Sequence, residues 1–186
     1  MDQQLMTPES RFWQWFAENE SSLFEAPPEA FKARVNRRLR VVCPGLGCDR
    51  ETGPDGRCSL ILTAHGVLQY FPFVEALAAS APDLAHFRVV AFAPAHPGDV
   101  PSQDVRFQRM SDGEGTGVTL FVRNYSEDRQ DVVAKQMSSL LSALLGEYDM
   151  ETKVGFVEVK AMPAEAESLP KLEKLPLALG SFPHDR

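Results

Sequence analysis

The residues able to do chemistry gather in two places. The first is Cys43 to His65, CPGLGCDRETGPDGRCSLILTAH, which holds all three cysteines and one of the four histidines. Zinc takes four ligands in tetrahedral geometry, usually including a close Cys-x2–4-Cys pair. Four residues separate Cys43 from Cys48, nine separate Cys48 from Cys58 and six separate Cys58 from His65. The first gap is at the permissive edge, and Pro44-Gly45 could bend it into a knuckle, but a second close pair is missing. The hairpin that the stretch encodes also opposes a shared site. A turn centred on Pro54 and Asp55 sets Cys58 opposite Glu51 and Cys48 opposite Ile61, about 10 Å apart and on opposite faces. A register shift of one residue would bring the two thiols to one face. A structural metal and unrelated free thiols therefore both stand, and the spacing favours free thiols with no metal. No Cys-x2-Cys is present for a redox pair.

The second place is Gly146-Glu147-Tyr148-Asp149-Met150-Glu151-Thr152-Lys153. Extended, it sets Glu147, Asp149 and Glu151 on one side about 6–7 Å apart, where like charges repel unless solvated, paired or bound to a cation. That pattern fits a hard-metal site or an acid/base pair, with Tyr148, Arg123, Tyr125 and His65 as further ligand contacts. It equally fits an ion-pair network closed by Lys153 and Arg123, and the spacing of a calcium loop is absent. His65-Gly66 precedes a helix and presents an imidazole at a strand end, or serves as a satisfied turn residue. His86 and His96 fall in loops and His184 in the tail. Gly113-x-Gly115-x-Gly117 lacks a Gly-Lys-Ser/Thr ending and precedes a strand, so it reads as a hairpin turn, not a phosphate loop. Neither a Gly-x-Ser-x-Gly elbow nor a His-Glu-x-x-His pair occurs. The sequence supplies no enzyme signature and implies no cofactor.

The elements that position these residues follow from periodicity and punctuation. Thr7 as N-cap and Pro8 at the first helical position open a helix over 8–20. Its aromatic set, Phe12, Trp13, Trp15 and Phe16, points around the helix. It fits core burial with a helix seam, or a partner surface at Trp13, Trp15 and Phe16. A second helix runs from Pro27 or Pro28 to about Val42, with Phe31, Val35 and Leu39 on one face. Strands are expected at 47–51 and 57–64 around Gly53-Pro54-Asp55-Gly56, then at 87–93, 104–110, 117–123 and 154–159. Helices are expected at 70–80 and 131–145, with Gly146 at the C′ position of the second. The order is αα, ββαβ, ββαβ, with no internal sequence repeat. It predicts an α+β fold: an antiparallel or mixed sheet of about five or six strands with two helices on one face. The helix pair 1–43 would pack at an edge or on the far face of the sheet region 44–162. Residues 57–160 compare with a ferredoxin-like βαββαβ unit. One domain is expected over 1–162. The Pro- and Leu-rich tail 163–186 would pack on the body or on a partner.

Composition narrows the function classes. With 186 residues, 44% apolar, 12 Phe and 2 Trp, the chain can bury a core. A net charge of −7 makes nucleic acid a poor partner. The one basic run, Lys32, Arg34, Arg37, Arg38 and Arg40, reads as a solvated helix face. No stretch is long and apolar enough to span a membrane, no secretory leader is evident at the N-terminus, and the odd cysteine number fits a reducing cytoplasm.

Several segments together carry a resemblance. They are Phe12-Trp13-x-Trp15-Phe16-x-Glu18-Asn19-Glu20, Phe71-Pro72-x-Val74-x-x-Leu77, Ala81-Pro82-Asp83-Leu84 and Arg88-Val89-Val90-Ala91-Phe92. Leu145-Gly146-Glu147-Tyr148-Asp149-x-Glu151-Thr152-Lys153-Val154-Gly155-Phe156 completes the set. This pattern, over roughly 10–160, resembles a family of uncharacterised bacterial cytoplasmic proteins. The resemblance implies bacterial origin, supplies no catalytic residue and omits the cysteines. Two functional expectations follow. One is a non-enzymatic interaction or small regulatory module that contacts an unknown protein partner or a second copy as a homodimer. The other is a small enzyme or a ligand- or cation-binding protein with its site at Glu147–Lys153.

Overall fold

The computed structural model describes residues 6–96, 105–111, 116–123 and 125–181. Residues 97–104, which include the first position of the strand expected at 104–110, Gly113 and Gly115 of the glycine run, and His184 lie outside them. The fold is α+β. The chain divides into two compact units, Met1–Ala93 and Pro94–Arg186.

The first unit begins with α1 (Pro8–Glu18), a short α2 (Glu20–Phe24) and α3 (Pro28–Val42). Thr7 caps α1, its hydroxyl accepting from the Ser10 amide at 3.2 Å. Then follow β1 (Gly47–Thr52), β2 (Cys58–Thr63), α4 (Phe71–Ala79) and β3 (Phe87–Ala91). β1 pairs antiparallel with β2, and β2 pairs parallel with β3, so β2 is central. Cys48, Cys58, Leu60, Leu62, Phe87 and Val89 share one sheet face and join the core with Phe12, Phe16, Phe31, Leu39, Val74 and Leu77. Phe87 anchors this core, stacked on Phe31 at 5.7 Å and edge-on to Phe16 at 5.2 Å. The N-terminal helices therefore join α4 on the same face of the sheet, not an edge or the far side, because their apolar stripes meet that one apolar face.

The second unit holds β4 (Val105–Ser111), β5 (Thr116–Val122), α5 (Gln130–Lys153), β6 (Phe156–Ala161) and α6 (Leu175–Ala178). Its sheet repeats the same plan: β4 antiparallel to β5, β5 parallel to β6, with α5 as the crossover. The two ββαβ segments thus share a topology without sharing a sequence. Val105, Phe107, Val118 and Leu120 form a core with Met137, Leu141 and Leu144 of α5.

The single sheet of five or six strands is overturned: the strands form two separate three-stranded sheets. One physical reason lies at β4. Its outer edge is occupied by the C-terminal segment, where the Phe107 amide donates to the Pro170 carbonyl at 3.1 Å and Arg106 bridges Lys171 in antiparallel sense. That contact blocks the Arg106–Phe107 end of the edge from extending a sheet. For the same reason residues 163–181 are part of the second unit and not an appendage. Leu172 and Leu175 are fully buried in its core.

Candidate functional site

The cysteine stretch resolves first. The turn is one residue longer than a Pro54–Asp55 centre implies. The Gly56 amide donates to the Gly53 carbonyl at 3.1 Å, the Gly53 amide to the Arg57 carbonyl at 2.8 Å, and Gly56 takes φ +79°. This is a three-residue hairpin loop whose last member must be left-handed, hence glycine. The register is consequently Thr52 opposite Cys58 and Cys48 opposite Leu62, not Glu51 with Cys58 or Cys48 with Ile61. Both thiols face the core, yet four strand positions, about 13 Å, separate them along the sheet. Cys43, Cys48 and Cys58 are all buried and free. Burial, reinforced by the charge of Asp49, pushes the Cys48 thiol up to about 12. Such a thiol stays protonated and is neither a nucleophile nor a ready metal ligand. Among the described residues no group of three or more His, Cys, Asp or Glu is placed to hold a metal ion.

The other first-unit candidates have structural neighbours. Trp13 and Phe16 are 4% and 0% exposed, so neither offers a partner surface. Trp13 donates its indole N–H to the Leu77 carbonyl at 2.8 Å. Trp15 is only partly buried and carries the Arg38 guanidinium 5.0 Å from its ring. The basic helix face is similarly engaged: Lys32 pairs with Asp49, and Arg34 donates to the Ser22 hydroxyl at 3.1 Å. His65 is exposed at the end of β2 with φ +53°, and Phe92 at the end of parallel β3 has φ +67°. The imidazole lies against Gly47, where any side chain would collide with it.

In the second unit the carboxylate segment is not extended. Gly146 does take the left-handed conformation, φ +75°, but the helix resumes and runs to Lys153. At about 100° per residue, Glu147 and Glu151 share one face and Asp149 points to the other. The three carboxylates therefore do not converge. Burial, and then the neighbouring Glu147 charge, hold the Glu151 carboxyl above its ordinary range. Asp149 is 4% exposed and pairs with Lys153, Oδ2 to Nζ at 3.1 Å. Lys153 Nζ also donates to the Gly180 carbonyl at 3.0 Å and the Ser181 hydroxyl at 3.3 Å. Lys153 thus latches the C-terminal segment onto the end of α5. Asp149 Oδ1 is buried and has no hydrogen-bond partner among the described residues. Tyr148 is 39% exposed, Glu147 is buried, and Tyr125 packs against the core. Arg123 pairs with Glu167 at 3.1 Å. Glu147, Tyr148, Asp149, Glu151 and Lys153 are thus brought together by α5, while Arg123 is tied to the segment after β6.

The feature that pattern reading missed is a sheet edge. Among the described residues four strands are edges, and they are treated differently. β1 carries Asp49, Arg50 and Glu51, and the amide of its Cys48 is satisfied by Asn36 Oδ1 at 2.9 Å. β4 is bridged at Arg106 and Phe107 by Lys171 and Pro170. Among the described residues, no chain segment pairs with the outer side of β3 or β6. β6 reads Phe156-Val157-Glu158-Val159-Lys160-Ala161. Val157 and Val159 pack toward the α5 core, while Phe156, Glu158 and Lys160 occupy the opposite face. Phe156 is 41% exposed and lies over Gly117, whose missing side chain makes room for the ring. Lys160 Nζ and Glu158 Oε2 are 2.9 Å apart at the solvent surface. The sequence signal was an alternating apolar strand bearing one acid and one base two residues apart.

No protein-family model, curated protein or solved structure matches the chain. Among the described residues, no helix is long and apolar enough to cross a membrane.

Proposed function

We propose that the protein is a non-enzymatic interaction module, and that it receives a partner strand along the outer edge of β6. The observation that supports this reading is the contrast between edges within one sheet. β4 is bridged at its Arg106–Phe107 end by the chain's own C-terminal segment, whereas β6 has no such bridge among the described residues. An uncovered edge presents a row of backbone donors and acceptors that pairs readily with an incoming strand, while alternate side chains give specificity. A bacterial, cytoplasmic setting belongs to the same proposal. The test is hydrogen exchange on the protein bound to whatever it captures from a lysate of its own source. Protection should fall on 156–161 and leave β1 unchanged. A captured partner whose footprint lies elsewhere contradicts the reading.

A second reading is a small-ligand or cation site at Glu147–Lys153. It is supported by the buried Asp149 Oδ1, which has no hydrogen-bond partner among the described residues. A thermal-shift screen with metals and metabolites tests it, since a ligand that binds only the folded chain raises the melting temperature. A hit lost in Asp149→Asn would support it, and an empty screen would count against it.

A further inference from the structure

We infer that the strand received by β6 is β6 of a second copy of this chain, paired antiparallel about a twofold axis through Val159. The inference rests on the strand-addition reading and adds the identity of the partner. A strand that pairs with itself across a twofold axis matches residue i with residue j at a constant sum i + j. Backbone groups on one edge alternate in direction along the strand, so the axis must pass through a residue and not between two.

Four such axes are available along the centre of β6, and charge selects one. An axis through Glu158 sets two carboxylates opposite each other. An axis through Lys160 does the same with two ammonium groups. An axis through Val157 sets Glu158 against Phe156 and leaves Lys160 opposite Val154. Only the axis through Val159 sets Glu158 of each copy opposite Lys160 of the other, twice over. It also sets Val157 opposite Ala161 and the exposed Phe156 opposite Met162. Opposite charges directly across an antiparallel pair stabilise it, and like charges destabilise it.

The two charged side chains are available for this role. Glu158 and Lys160 are 43% and 51% exposed and already pair at 2.9 Å within one copy. In the dimer each ammonium would lie between two carboxylates on the same face of the sheet. Val157, Val159 and Ala161 would sit on the face that meets α5, so both copies would keep their cores on one side. The product is a continuous sheet of order β4-β5-β6-β6-β5-β4, with each outer strand bridged at Arg106 and Phe107 by Lys171 and Pro170. Growth of this sheet is therefore hindered at the Pro170 and Lys171 end of each outer strand.

One strand pair is a small interface, at the low end of specific ones, so a dissociation constant of roughly 1–100 μM is expected. The experiment is sedimentation velocity on the full chain from about 1 μM to about 1 mM, a range that brackets such a constant. The wild type should pass from monomer to dimer across it. Lys160→Glu and Glu158→Lys should each weaken association by about tenfold or more, because each places like charges opposite each other twice. An equimolar mixture of the two variants should dimerise again, since the two carboxylates on β6 of one copy then face the two ammonium groups on β6 of the other. The double exchange, Glu158→Lys with Lys160→Glu, should dimerise alone. A wild type that stays monomeric at the highest concentration overturns the inference, as does association that neither substitution weakens or mixing does not restore. If the wild type is monomeric but a different protein protects 156–161 from exchange, only the self-pairing falls. A dimer whose β6 amides exchange freely overturns the strand-addition reading as well. Melting curves of each variant check that the fold is retained.

Discussion

Replacing Lys153 by methionine should destabilise the second unit without touching its core. Asp149 is 4% exposed, and Lys153 Nζ, 3.1 Å from Oδ2, is its one ionic partner among the described residues. Its other oxygen has no hydrogen-bond partner among the described residues. Removing one member of a buried pair leaves an uncompensated charge and costs roughly 3–5 kcal/mol when both groups are fully buried. The Lys153 side chain is 28% exposed, so water would partly replace it. That lowers the expected loss to about 2–3 kcal/mol. The same substitution releases the Gly180 carbonyl and the Ser181 hydroxyl, freeing the end of the C-terminal segment. For a chain of this size each kcal/mol moves the melting temperature by about 2–4 °C, so a fall of roughly 5–10 °C is expected. Far-ultraviolet circular dichroism is the suitable probe, because both tryptophans lie in the first unit. Adding Asp149→Asn to Lys153→Met removes the orphaned charge and should recover part of the loss. A single variant that melts within about 1 °C of wild type would refute the latch, since the reasoning requires at least several degrees.

Further outcomes are expected from the titrating groups. Because the folded chain holds the Glu151 carboxyl above its ordinary range, it binds that proton more tightly than the unfolded chain does. Glu151 therefore opposes folding at neutral pH, and that contribution disappears as pH falls through the raised folded value and then the unfolded one. Glu151→Gln should melt higher than wild type at pH 7, and the difference should close in acid. A difference that is independent of pH would contradict the assignment. Cys48, with its thiol pushed up to about 12 by burial, should not react with an aromatic disulfide reagent in the native protein at pH 8. All three buried thiols should react once denaturant is added, and rapid native labelling of Cys48 would disprove its burial.

Much of the local structure was legible in the residues, and the reasons differ by element. Pro54-Asp55-Gly56 announced the hairpin, but not its register. A two-residue and a three-residue loop share that composition, and only Gly56 at φ +79° distinguishes them. Gly146 announced a break in α5 and takes a left-handed φ there. What its type did not show is that the helix resumes, since Glu147 to Lys153 suit a helix as well as a connection. The aromatic cluster read as either core or surface. Contacts with Phe87 and the Leu77 carbonyl, both distant in sequence, placed Phe16 and Trp13 in the core. The division into two sheets was the least visible feature. One contact that goes with it, Pro170 and Lys171 reaching the edge of β4, joins residues more than 60 positions apart, which no periodicity encodes. The candidate site suffered similarly: an open edge is defined by what fails to cover it, and composition carries no sign of that.

The difference between the two edges of the second sheet can be measured directly by hydrogen exchange of the isolated chain at low micromolar concentration, resolved to single amides. The outward amides of β6 should exchange early, while the inward ones, those of β5 and the Phe107 amide beneath Pro170 stay protected. Uniform slow exchange along β6, matching β5, would mean that the edge is already covered and would contradict the account.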